Sequence, residues 1–326
     1  MENKINILRK SFHAFFRNYQ YFTFFVALIL LPVSILVLLS QAVEFFSYPF
    51  LLTIQIRLDN LFNAAGFPPS SPFFFLLNVK LSQTITCSIF SFPFTLSFLL
   101  IAKSAIIQAL HHKTPSTTAS SVFSLYNPLL LTHLCNSFII FSAHAVGLCF
   151  LFVLFISFSE FGYSSPDSAF FLSAGGAVVY SLILANTLII CNMALVVAGM
   201  ENCGGFVAIL KACVLIRSRV STALSLALPV NLGLAFLEAL FQYRVVTIYH
   251  MSDKISFATV FEGLLIAYLY SLLILQETVI TCIFYTNCKS ELRIDGEGNA
   301  DYHYYRIKNM EENEIFMDSK FLHELP

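Results

Sequence analysis

The chain has 326 residues, 57% hydrophobic and 11% charged, with a formal net charge of −1. A soluble domain carries roughly 25% charged residues, so this chain lacks the means to cover a water-facing surface. Its near-neutral charge, without a basic stripe or zinc-finger spacing, excludes bulk attraction to nucleic acid.

In chain order, the first feature lies in residues 4–20. Ile5, Leu8, Phe12, Phe15 and Tyr19 recur at three- and four-residue spacing among Lys4, Arg9, Lys10 and Arg17. This pattern predicts a basic amphipathic helix on the anionic cytosolic leaflet. Six apolar stretches follow, at 22–46, 81–110, 129–158, 169–200, 220–241 and 257–285. Each reaches the roughly 20 residues that a helix needs to cross the hydrocarbon core. The first is longer than the roughly 7–15 residues of a signal-peptide core and reads as an uncleaved anchor. Pro32, Pro93 and Pro229 fall inside three stretches, where each removes a helical hydrogen bond and predicts a kink. Phe occurs 36 times and Trp never, which leaves Phe and the 14 Tyr to anchor the interfaces.

Residues 47–80 form the longest outer loop. Leu51, Leu52, Ile54, Ile56, Leu58, Leu61 and Phe62 make it too apolar for coil, and it runs into Gly66-Phe67-Pro68-Pro69. A short interfacial helix ending in a turn is expected. Residues 201–219, ENCGGFVAILKACVLIRSR, combine a Gly204-Gly205 break with Val207, Leu210, Val214 and Arg217 on one helical face. Lys211, Arg217 and Arg219 supply a cationic side, so a short helix at headgroup level beneath the bundle is expected. The polar tail from Lys289 holds nine acids and five bases. The organisation is therefore a 1–21 amphipathic segment, a 22–286 membrane domain and a 287–326 tail, in an all-α polytopic bundle with six transmembrane helices and short interfacial ones.

Lys and Arg orient this layout. Fourteen fall in segments on the side of the termini, among them Lys103, Lys211 and Lys289, and four (Arg57, Lys80, Arg244, Lys254) fall opposite. The positive-inside rule then puts both termini in the cytosol. None of the eight Cys lies in an outer loop, and no N-x-S/T sequon occurs. No disulfide framework or metal-binding pair is expected.

Three places carry a resemblance: SFHAFFRNYQYFTFFVALILLPVS at 11–34; the E-x-x-G start at Glu201 and Gly204, with Ala208, Lys211 and Leu215 following; and CIFYTNCKS at 282–290. They resemble an uncharacterised family of six-span plant membrane proteins. The turn of acid, glycine and short basic-ended helix is also similar to the membrane domain of some bacterial glycerophosphodiester phosphodiesterases and of YciC-type proteins. Ala212 departs from that pattern, which has Ser there. The resemblance transfers no catalytic residue, because the bacterial chemistry belongs to a separate soluble domain.

Ionisable groups within spans are functional candidates, because a charge in lipid is costly. They are Glu277 with Gln276 in the sixth span, Glu238 with Asn231 in the fifth, His144 with Asn136 in the third, and Asn186 and Asn192 in the fourth. Spacings of seven or eight residues place several near one helix face, although Asn and His also serve simply to join helices. Glu201, Gly204, Lys211 and Arg217 form the candidate cytosolic motif. No HExxH, GxSxG or acidic metal motif occurs. The expectation is an integral membrane protein without catalysis or cofactor, acting as a scaffold or accessory factor in membrane organisation, trafficking or signalling. Its partners would be the bilayer and other membrane proteins, and not nucleic acid. A small-solute or ion transporter is the alternative, and a lipid-modifying enzyme the third reading. A polar cavity reaching Glu277 favours transport, and a dry interior favours the scaffold.

Overall fold

The computed structural model describes residues 2–41, 48–64, 72–111, 119–160, 166–217, 219–247 and 257–294. These form ten helices and no strand. They are α1 (Glu2–Arg17), α2 (Ala27–Gln41), α3 (Tyr48–Ala64), α4 (Pro72–Phe94) and α5 (Leu100–His111). After these come α6 (Ala119–Glu160), α7 (Pro166–Glu201), α8 (Phe206–Arg217), α9 (Val220–Phe241) and α10 (Phe257–Ile294). Expectations for Glu44, Gly66-Phe67-Pro68-Pro69, Lys254 and the tail from 295 onward lie outside the described residues.

Six helical segments are long and apolar enough to cross a membrane: Tyr21–Leu39, Ser91–Leu110, Ser124–Leu154, Ala174–Glu201, Val220–Val246 and Phe257–Ser290. They match the six stretches read from the sequence. Their outward surfaces carry exposed Phe138, Phe141, Leu232, Phe236 and Phe257, a coat suited to acyl chains.

Helix α10 is the hub, packing on α1, α2, α5, α7 and α9, while α6 and α7 form a long pair and α3 lies against α4. Small residues set the close approaches. Ala102, Ala105 and Ala109 of α5 let Phe22, Val26 and Leu30 reach Leu275 and Val279 of α10. A larger core joins Met193–Ala198 of α7 to Ala208, Ala212 and Leu215 of α8 and to Ile280 and Phe284 of α10.

Three π-helical turns interrupt the rods, at Tyr21–Val26, Thr95–Leu99 and Gln242–Val246. The second directly follows Pro93, whose missing N–H already breaks the ladder. Tyrosines from other helices answer two of these carbonyl-rich turns: Tyr126 donates to Leu96 O at 3.0 Å and Tyr268 to Thr23 O at 3.4 Å. Inside an apolar bundle such partners replace absent water.

Three segments differ from expectation. Helix α4 begins at Pro72, well before residue 81, and α6 runs through Pro128, because helix continues beyond the apolar stretch into residues that apolarity alone leaves out. In α1 the expected stripe divides between two faces. Ile7 and Ser11 are buried, with Leu8, Ala14 and Phe15 partly so, whereas Ile5, Phe12, Phe16 and Tyr19 are exposed. At 100° per residue the helix therefore has three faces: one on the bundle, one apolar and uncovered, and one polar with Asn6, Lys10, His13 and Arg17.

Candidate functional site

Three polar nodes stand along α10, at Tyr270, Glu277 and Tyr285, seven and eight residues apart. At 1.5 Å per residue they are spaced by about 10 and 12 Å.

The middle node joins three helices. Asn192 of α7 donates to Glu277 Oε1 at 2.7 Å, and Lys103 of α5 donates to Asn192 Oδ1 at 3.4 Å. Asn192 thus spans an acid and a base with its two amide ends. Lys103 corrects its assignment to the cytosolic set, because it is 8% exposed inside the bundle. Its position one turn into α5 leaves it no course but inward, among residues 102–109 that are themselves buried. Gln276 lies about 100° around α10 from Glu277, and its Nε2 is buried without a partner. Glu277 and Asn192 also wall a small crevice of ≈ 40 Å³ with Met193, Val230, Thr281 and Phe284. That is room for a few waters at most.

The node at the α1 end is built on Glu201, the last residue of α7. Its Oε1 accepts from Lys289 Nζ and Tyr285 Oη, each at 2.6 Å, and its Oε2 lies 3.2 Å from Lys211 Nζ. One carboxylate thereby ties α7, α8 and α10. Lys211 is 2% exposed, which corrects its placement on a cationic surface beside Arg217. The buried face of α8 is Ala208, Ile209, Lys211, Ala212, Leu215 and Ile216. On the face grouped from sequence, Leu210 and Arg217 point outward, and Val207 and Val214 are only partly covered. The turn before α8 depends on glycine twice. Gly205 has φ +70°, and a Cβ on Gly204 would sit 3.1 Å from Pro128 Cα. Gly205 N–H donates to Thr132 Oγ1 at 2.9 Å, fastening the turn to α6. Burial pushes the Cys213 thiol of α8 up, making it a poor nucleophile.

The third node, toward the opposite end, holds Glu238 of α9, which accepts from Tyr270 Oη at 2.9 Å. Beyond it, Arg244 pairs with Glu262 at 3.0 Å, both well exposed. Glu238 lines a cavity of ≈ 600 Å³ with Val37 of α2, Lys80, Gln83, Thr84, Ser88 and Ser91 of α4, and Ala235, Ala239 and Gln242. Of these α4 residues, Gln83, Thr84, Ser88 and Ser91 were not singled out from sequence, although Lys80, Thr84, Ser88 and Ser91 recur there at four- and three-residue spacing.

The remaining candidates disperse. His144 Nδ1 lies 2.8 Å from Tyr180 Oη, between α6 and α7. Asn136 donates to Cys191 O at 2.8 Å, and its Oδ1 is buried without a partner. Asn186 and Asn231 are exposed on α7 and α9 and join no node. Glu238, His144 and Glu277 therefore do not share one cleft.

A family model described as a domain of unknown function (DUF8558) matches residues 3–298. No curated protein and no solved structure matches the chain.

Proposed function

We propose that this chain, which belongs to the DUF8558 family, is a multi-pass integral membrane protein that carries a small polar solute and performs no catalysis of its own. Six long apolar helices support the membrane reading. The Lys/Arg bias supports cytosolic termini, since the burial of Lys103 removes only one of fourteen.

The observation that carries the transport reading is the Lys103–Asn192–Glu277 chain across α5, α7 and α10. Burying an acid and a base, even when they are bridged, rarely improves on well-packed apolar residues for stability. Ionisable groups held at span depth therefore point to a solute or ion path. The crevice that reaches Glu277 is ≈ 40 Å³, so the polar space for a solute is the separate ≈ 600 Å³ cavity that ends on Glu238, beside Tyr270.

The test is uptake of labelled small polar solutes, including amino acids and polyamines, by proteoliposomes holding the full chain. Glu277→Gln should remain monodisperse, because the amide still accepts from Asn192, and should lose uptake at least tenfold. Absence of uptake by the wild-type protein across the panel would sink the reading.

A scaffold or accessory role is the second reading. One observation favours it: Glu201, Glu238 and Glu277 each already have protein partners, as expected of helix fasteners. On that reading Glu277→Gln leaves both fold and cellular function unchanged.

A further inference from the structure

We propose that the cavity between α4 and α9 binds a small zwitterion, with Lys80 holding its anionic group and Glu238 its ammonium group. This deepens the transport reading, on which it rests, by naming the class of solute.

Lys80 and Glu238 line the same cavity from different helices, yet they form no ion pair among the described residues. Elsewhere the fold closes such pairs directly: Arg244 and Glu262 meet at 3.0 Å, and Lys289 and Glu201 at 2.6 Å. Opposite charges kept apart across an open space match a ligand that carries both. A plain cation would meet Lys80 and a plain anion would meet Glu238, so each single charge gains at one wall and loses at the other.

The volume and wall chemistry agree. The cavity, at ≈ 600 Å³, lies within the ~300–1,000 Å³ common for small-molecule sites. Thr84, Ser88 and Ser91 donate their hydroxyl hydrogens back to Lys80 O, Thr84 O and Ser88 O. Their hydroxyl oxygens keep lone pairs that can accept N–H or O–H groups of a solute. Tyr270 occupies Glu238 Oε1 at 2.9 Å and fixes the carboxylate while leaving Oε2 for the ammonium. Tyr270 stands two turns from Glu277 on α10, so occupation of the cavity bears on the helix that holds the middle node.

The zwitterion has two sources: a free amino acid or a zwitterionic lipid headgroup. The full chain in nanodiscs of phosphatidylglycerol, which offers no zwitterion, is titrated with radiolabelled L-glutamine and separately with labelled glycerophosphocholine. Saturable binding of at least one is expected, the tighter ligand identifying the source. Butyrate and butylamine, each bearing one of the charges, should compete at least about tenfold more weakly than the unlabelled zwitterion. Lys80→Gln, at an exposed side chain, and Glu238→Gln, which can still accept from Tyr270, should each weaken binding by at least about tenfold. No saturable binding of either ligand, or binding that both variants leave unchanged, overturns the proposal. Binding without uptake in proteoliposomes upholds the site and removes the transport reading. Uptake that both variants leave unchanged does the reverse.

Discussion

Lys211 and Lys289 share one carboxylate but stand in different surroundings. Lys211 is enclosed, whereas the Lys289 side chain is 41% exposed. Lys211→Met takes from Glu201 the enclosed one of these two cations, and breaking such a buried pair costs about 3–5 kcal/mol. Lys289→Met gives up a solvent-screened partner, for about 1 kcal/mol or less. Thermal unfolding in detergent should therefore place the Lys211 variant far below the Lys289 variant. Equal midpoints would mean that the node is looser than its distances imply. The inward aim of Lys211 was partly legible: it is six residues from Arg217, about 120° around a helix, so the two cannot share a narrow face. The pairing of Glu201 with Lys289 was not legible, because 88 residues separate them and no local pattern links them.

Among the elements, α8 is held by its turn. Gly205→Ala forces a side chain into φ +70° and should cost about 1–2 kcal/mol. Gly204→Ala drives a Cβ toward the Pro128 backbone and should loosen α8 from α6 as well. Both variants should melt earlier than wild type, with faster proteolysis after Arg217 or Arg219 in the Gly204 variant; an unchanged melt would show that the turn adapts freely. The break at these glycines was plain in the sequence, but which face of α8 they turn inward was not, since α8 is apolar nearly all round. The same ambiguity affected α1, whose two apolar faces blurred into one stripe. In a cysteine-depleted background, Phe12→Cys and Phe16→Cys should react slowly with a water-soluble maleimide, because lipid covers that face. Lys10→Cys and His13→Cys should react fast. Uniform reactivity would place α1 away from the membrane.

At the scale of the whole molecule, six spans and cytosolic termini predict that tags at both ends are digested only when protease reaches the cytosolic side. Protection of one tag in intact vesicles would defeat the layout. The six long apolar helices were legible because the length a bilayer requires shows in composition. The separation of the polar groups into three nodes was not, because the depth of a residue in its helix does not reveal its neighbours on other helices.

Helix α10 meets α9 at Tyr270, α7 at Glu277 and the α7–α8 junction at Tyr285. It is thus cut like a key with three teeth. A slide by one turn, about 5.4 Å, would unseat every tooth together, parting Tyr270 from Glu238, Glu277 from Asn192, and Tyr285 and Lys289 from Glu201. Gradual travel of α10 has no intermediate stopping place. On the transport reading, a working cycle keeps this rod in register with its three partners, as an axle about which the rest of the bundle moves.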